Sequence, residues 1–139
     1  MRVATQTCSM LSYRTLAHNV QKRVGLSFEP TLVFISFCVR AIAHHLSAKE
    51  ARLFKNSIPL ELRQLVVEGR AGGLNEMRQL IDVIADRFSI SAIEAKRRAL
   101  TLLEEFRAGV SPWDDVEYVE ALDRLRRELD AVFIDSAAA

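Results

Sequence analysis

The stretch YRTLAHNVQKRV, from Tyr13 to Val24, returns 64 residues later as MRQLIDVIADRF, from Met77 to Phe88. Tyr13, Leu16, Ala17, Val20 and Val24 make an i, i+3, i+4, i+7, i+11 stripe, and Met77, Leu80, Ile81, Ile84 and Phe88 repeat it position by position. That spacing is one face of an α-helix. Working outward at the same offset, Ser27 recurs as Ser91, and Leu46-Ser47 recurs as Val110-Ser111. A period of this length holds several helices. The expected fold is all-α, with about eight helices arranged as two tandem four-helix units packed in one bundle. The units are read as residues 12–68 and 76–134 of a single domain spanning 10–134.

Local signals place the helix starts. Ser47-Ala-Lys-Glu50 and Ser91-Ala-Ile-Glu94 have the spacing of capping boxes, in which the Ser oxygen accepts an orphan N–H and the Glu reaches back. Pro30, Pro59 and Pro112 each fit the first turn of a helix, where the missing N–H costs nothing. The only glycine cluster, between Glu68 and Asn75, falls where the repeat predicts a joint. Helices are expected at 10–25, 29–46, 48–56, 59–68, 76–88, 92–109, 112–121 and 122–134. No segment alternates with the period of a strand, and short connections predict that each unit opens with an antiparallel hairpin.

Composition narrows the function classes. Of 139 residues, half are apolar and 27% are charged, which suits a packed globular domain rather than a disordered chain. A net charge of +1 argues against a general electrostatic nucleic-acid binder. The opening MRVATQTCSM lacks the apolar core of a secretory signal, and the run Thr31 to Val39 is too short to span a bilayer. A cytoplasmic location, with no membrane contact, is the expectation. Residues 1–9, with Met10 as an alternative start, and residues 135–139, ending in Ala137-Ala138-Ala139, are read as tails.

The two copies agree on one face of their second helix and differ on the other. The shared face is Thr31, Ile35, Cys38, Val39, Ile42 and Leu46 in the first copy, and Ala95, Ala99, Leu102, Leu103, Phe106 and Val110 in the second. Where the first copy has Leu32, Val33, Phe34 and Phe37, the second has Lys96, Arg97, Arg98 and Thr101. A helix apolar on every side is covered on every side. The cover is either other helices of the same chain, the commoner case, or an oligomer or protein partner seated on Leu32, Val33, Phe34 and Phe37. Charge is divided as well: residues 1–70 carry +6 and residues 71–139 carry −5. Internal complementarity between the units accounts for this, with steering of a partner or head-to-tail self-association as the alternative.

Catalytic chemistry finds no foothold. His44 and His45 are adjacent, so on a helix they point about 100° apart and do not share an ion as an i, i+4 pair does. Neither HExxH nor CxxC spacing occurs; Cys38 lies in an apolar run and Cys8 near the start. Asp114, Asp115, Glu117 and Glu120 fit the first turns of a helix, where acidic groups meet the dipole. Trp113, beside Pro112, is read as a packing anchor. Lys96-Arg97-Arg98 is a possible phosphate contact, though a solvated face is the plainer reading. No catalytic residue, cofactor or metal ligand is expected.

The segment His45-Leu-Ser-Ala-Lys-Glu-Ala-Arg-Leu53, followed by Ile58-Pro-Leu-Glu-Leu-Arg-Gln-Leu65, resembles the bacterial "domain of unknown function 2267" family. Members look like tandem helical units carrying an LSxxEA element and then an LPxELRxL element. The resemblance spans roughly residues 12–134; in the second unit, Val110 to Asp115 and Leu122 to Leu129 keep its outline. It implies a fold of tandem helical units and carries over no activity.

The expected function is therefore a non-catalytic helical interaction or regulatory protein. Two rivals are a module binding a small apolar ligand between the units, and a nucleic-acid binder working through Lys96, Arg97 and Arg98. The first requires an enclosed apolar cavity; the second requires one contiguous basic face.

Overall fold

The computed structural model describes residues 12–66, 77–111 and 114–134. Its elements are helical throughout: α1 (Tyr13–Val24), α2 (Phe28–Ala43), α3 (Ala48–Ser57), a 3₁₀ helix (Leu60–Leu65), α4 (Met77–Phe88), α5 (Ala92–Ala108) and α6 (Val116–Asp130). The all-α class is as expected. The expected count of eight is corrected to seven among the described residues, four before the glycine cluster and three after it.

Two differences account for the change. Within the segment expected as an α-helix at 59–68, Leu60–Leu65 is a six-residue 3₁₀ helix, closed by i→i+3 bonds such as Leu62 N–H to Pro59 C=O at 2.9 Å. Leu62 within it and Val66 just past its end are buried in the core. In place of the two helices expected at 112–121 and 122–134, the described residues hold one helix, α6, running unbroken from Val116 to Asp130. Nothing breaks it at Ala121-Leu122, because Tyr118, Ala121, Leu122, Leu125 and Leu129 form one uninterrupted buried stripe. Its N-cap is Asp115, whose carboxylate accepts from Glu117 N–H at 2.8 Å. Pro112, Trp113, Cys8 and the glycine cluster lie outside the described residues.

The serine caps stand where the sequence puts them, with one change. Ser47 and Glu50 complete a capping box: Ser47 Oγ accepts from Glu50 N–H at 3.1 Å, and Ser47 N–H donates to Glu50 Oε1 at 3.0 Å. Ser91 Oγ likewise accepts from Glu94 N–H at 3.1 Å. The Glu94 carboxylate does not return to it in the expected box; it is taken by Arg97 and Arg98 on the next turn.

In the first unit the expected antiparallel opening is also corrected. The path from α1 to α2 bends by 104°, a near-right-angled corner. Gly25, in the left-handed region at φ 86°, ends α1 with its N–H on Gln21 C=O at 2.9 Å; Leu26 and Ser27 complete a three-residue joint. Ser89, 64 positions later, also has a left-handed φ of 54°, and Ile90 N–H closes α4 on Ala85 C=O at 3.0 Å.

These joints set the packing. α5 lies against α1, α4 and α6, while α2 lies against α1, α4 and the 3₁₀ helix, and α3 lies against α6. One contiguous core runs through both halves. Phe54 meets Phe106 edge-on at 5.5 Å and Tyr118 at 6.4 Å, and Phe34 meets Phe88 at 5.5 Å. Burying each such ring contributes a few kcal/mol, roughly 1.5–3.

Candidate functional site

The four apolar residues expected to act together on α2 are divided by the fold. Phe34 is fully buried, edge-on to Phe88, and belongs to the core. Its place in an exposed interface patch is thereby corrected: one residue round from Val33, its side chain turns toward the same interior as Ile35 and Cys38. Leu32 and Phe37 are half-buried, and Val33 is 46% exposed.

Those three, with Ser36, Arg40 and Arg87, line a shallow open groove on the outer side of α2. Arg87, from the last turn of α4, spreads its guanidinium over two rings, 5.9 Å from the Phe37 centroid and 5.0 Å from that of Phe88. Arg40 stands exposed at the same end. Among the described residues, neither arginine has a carboxylate partner. At the opposite end of the same face stands Glu29, exposed in the first turn of α2. Beside it, Phe28 is 40% exposed and rests on the His18 ring at 5.6 Å.

The basic run of α5 has a different occupation. Lys96 Nζ donates to Asp130 C=O at 2.9 Å and Val132 C=O at 2.7 Å, closing the end of α6. Arg97 donates to Arg23 C=O at 3.2 Å and Val24 C=O at 3.4 Å, closing the end of α1. Both cations thus sit on carbonyls at the negative end of a helix dipole. Arg98 Nε donates to Glu94 at 2.7 Å. Hydrogen bonds from Arg97 lead in holding the Glu94 carboxyl down at about 2, with Arg98 adding to them against the opposing effect of burial. Lys96 and Arg97 are joined to other helices as clasps, which no local sequence signal reveals, while Arg98 stays paired within α5 at i, i+4.

The charge asymmetry between the halves is likewise spent inside the chain at several points. Arg23 pairs with Glu105 at 3.1 Å and with Glu104, which Arg126 also holds at 3.2 Å. Lys49 pairs with Glu117 at 2.8 Å. In the opposite sense, Arg124 of the acidic half reaches Glu50 of the basic half with two nitrogens, one at 3.1 Å. Burial works to raise the Glu50 carboxyl, but hydrogen bonds from Arg124 and Ser47 outweigh it and leave the group below the usual carboxylate range. The Lys49–Glu117 and Arg124–Glu50 pairs line a charged open groove between α3 and α6, unlike an enclosed apolar ligand cavity.

The remaining candidates have structural places. In the turn that follows α2, His44 is exposed and its neighbour His45 is buried. Cys38 is fully buried, and burial pushes its thiol far up. Asp114 accepts from Ser111 N–H at 2.8 Å, and Asp115 is the α6 cap. Among the described residues, no three His, Cys, Asp or Glu side chains gather to hold a metal ion, and no single helix is long and apolar enough to cross a membrane.

The chain matches no protein family, no characterised protein and no solved structure. Its function has to be read from its own surface. The outer face of α2 brings apolar side chains together with charges that have no ion-pair partner among the described residues, and two of its members, Arg40 and Arg87, were not singled out in the sequence. The signal for them was available: Arg87 lies 64 positions after Arg23, and Arg40 lies 64 positions before Glu104.

Proposed function

We propose that this chain is a non-catalytic helical interaction or regulatory protein of the cytoplasm, working through the outer face of α2. The observation that carries this reading is the groove of Leu32, Val33, Ser36 and Phe37 beside two arginines without a carboxylate partner among the described residues. Exposed apolar surface next to unpaired guanidinium groups is the composition of contact surfaces, where aromatic residues and arginine are enriched. The chain is also read as two copies of one helical unit, akin to the tandem units of the "domain of unknown function 2267" family. The common 64-residue offset from Tyr13 to Met77 and from Phe28 to Ala92 supports that reading.

The test compares wild type with Val33→Lys, a change at an exposed position that leaves the core intact. Both proteins are analysed by sedimentation and by affinity capture from the source cells. A bound species, whether a second copy or another protein, is expected with wild type and lost with Val33→Lys. Identical behaviour of the two proteins would remove α2 as the contact face.

A further inference from the structure

The α2 face is complementary to itself. Glu29, Val33, Ser36 and Arg40 fall at i, i+4, i+7 and i+11, which is one face of the helix, with Leu32 and Phe37 on its flanks. A two-fold axis crossing α2 midway between Val33 and Ser36 lays a second α2 antiparallel on the first. It sets Glu29 opposite Arg40 of the other copy, Leu32 opposite Phe37, and Val33 opposite the small Ser36. The pattern reads the same from either end, as an isologous interface requires.

The arginines supply the second observation. At one corner of the fold, Arg23 of α1 is paired with Glu104 of α5. The residues displaced by 64 positions are Arg87 of α4 and Arg40 of α2, two cations in place of an ion pair. Arg87 lies over the Phe37 and Phe88 rings, and both arginines flank the open groove. Glu29 is exposed, and among the described residues it too has no ion-pair partner. The acid missing from this corner stands at the far end of the same helix, where only another copy delivers it.

We infer that the protein forms a two-fold dimer through antiparallel packing of α2 on α2, in which Glu29 of each copy is received between Arg40 and Arg87 of the other. This rests on the α2 contact reading above and names its occupant. A single helix face lies near the lower limit of stable interfaces, roughly 1,000 Å². The dimer is therefore expected to dissociate on dilution.

Sedimentation velocity across a concentration series tests it, with circular dichroism confirming that each variant is folded. Glu29→Arg alone, and Arg40→Glu with Arg87→Glu, each place like charges across the interface and are expected to weaken self-association by about a hundredfold or more. Mixing these two monomeric variants restores both opposite-charge contacts, so a heterodimer is expected only in the mixture. Should the double variant fail to fold, Arg40→Glu alone takes its place in the mixture. Wild type that remains monomeric at every concentration overturns the dimer, as do variants that still self-associate or a mixture that does not. If wild type is monomeric but captures another protein that Val33→Lys loses, the dimer alone falls and the contact face stands. If neither association occurs, both readings fall.

Discussion

Gly25 and Ser89 hold the same left-handed corner, one after each leading helix, with φ of 86° and 54°. Only the first is a residue suited to it. Serine in this region carries a steric cost that glycine does not. Ser89→Gly is expected to raise stability by about 0.5–1 kcal/mol, read as a higher urea midpoint at unchanged slope. Gly25→Ala is expected to lower it by about 1 kcal/mol. A Cβ at Gly25 meets nothing within 4 Å, so the loss reports backbone conformation and not crowding.

Glu94 makes acid stability predictable in sign. Its carboxyl is held at about 2 in the folded protein, against about 4.3 when the chain is unfolded. The unfolded chain takes up the proton first, so protonation favours unfolding. Glu94's contribution is complete above the unfolded value and is lost as pH falls from about 4.3 toward 2. Urea midpoints measured across that range are expected to fall less steeply for Glu94→Gln than for wild type. Parallel curves would mean that Arg97 and Arg98 do not hold the charge in solution.

Phe34 and Val33 are neighbours with opposite expectations. Phe34→Arg places an unpaired charge in the core and is expected to cost several kcal/mol, about 3–5, enough to abolish a cooperative melt. Val33→Arg, at a position 46% exposed, is expected to leave the melting temperature nearly unchanged in dilute solution, where the proposed dimer is dissociated. Thermal scans of the two variants check this directly.

Lys96 is a clasp on the end of α6, which makes it a stability residue. Lys96→Met keeps the stem and removes the donor, and is expected to cost about 0.3–1 kcal/mol. The loss should be local: hydrogen exchange is expected to quicken at the last turn of α6, near Asp130, before it changes elsewhere. Uniform quickening across all helices would contradict the local role.

The readable parts of the fold were those with short-range causes. Ser47, Ser91 and the stripe from Leu16 to Val24 each state a helix start or face within a few residues, and the structure keeps them. The continuity of α6 was legible locally, because Ala121-Leu122 contains no breaker and the buried stripe runs through it. The 3₁₀ helix was missed because Leu62 and Leu65 suit either helical period over so short a run. Which of Val33 and Phe34 faces inward was illegible for another reason. An apolar helix carries no polar face to fix its rotation, so only packing against Phe88 decides it. The clasp roles of Lys96 and Arg97 depend on carbonyls far away along the chain, and no window of sequence contains both partners.

The bond from Arg97 to the end of α1 spans 74 residues. On a ribosome adding roughly 10 residues per second, that separation lasts several seconds, whereas a helix forms within about a microsecond. During that interval the emerging first half has Arg23 without Glu104, the last carbonyls of α1 without their clasp, and the apolar stripe of α1 without α5 packed beside it. Newly made chains are therefore most adhesive before α5 has left the exit tunnel, and slowing translation after Phe88 should lengthen that vulnerable period.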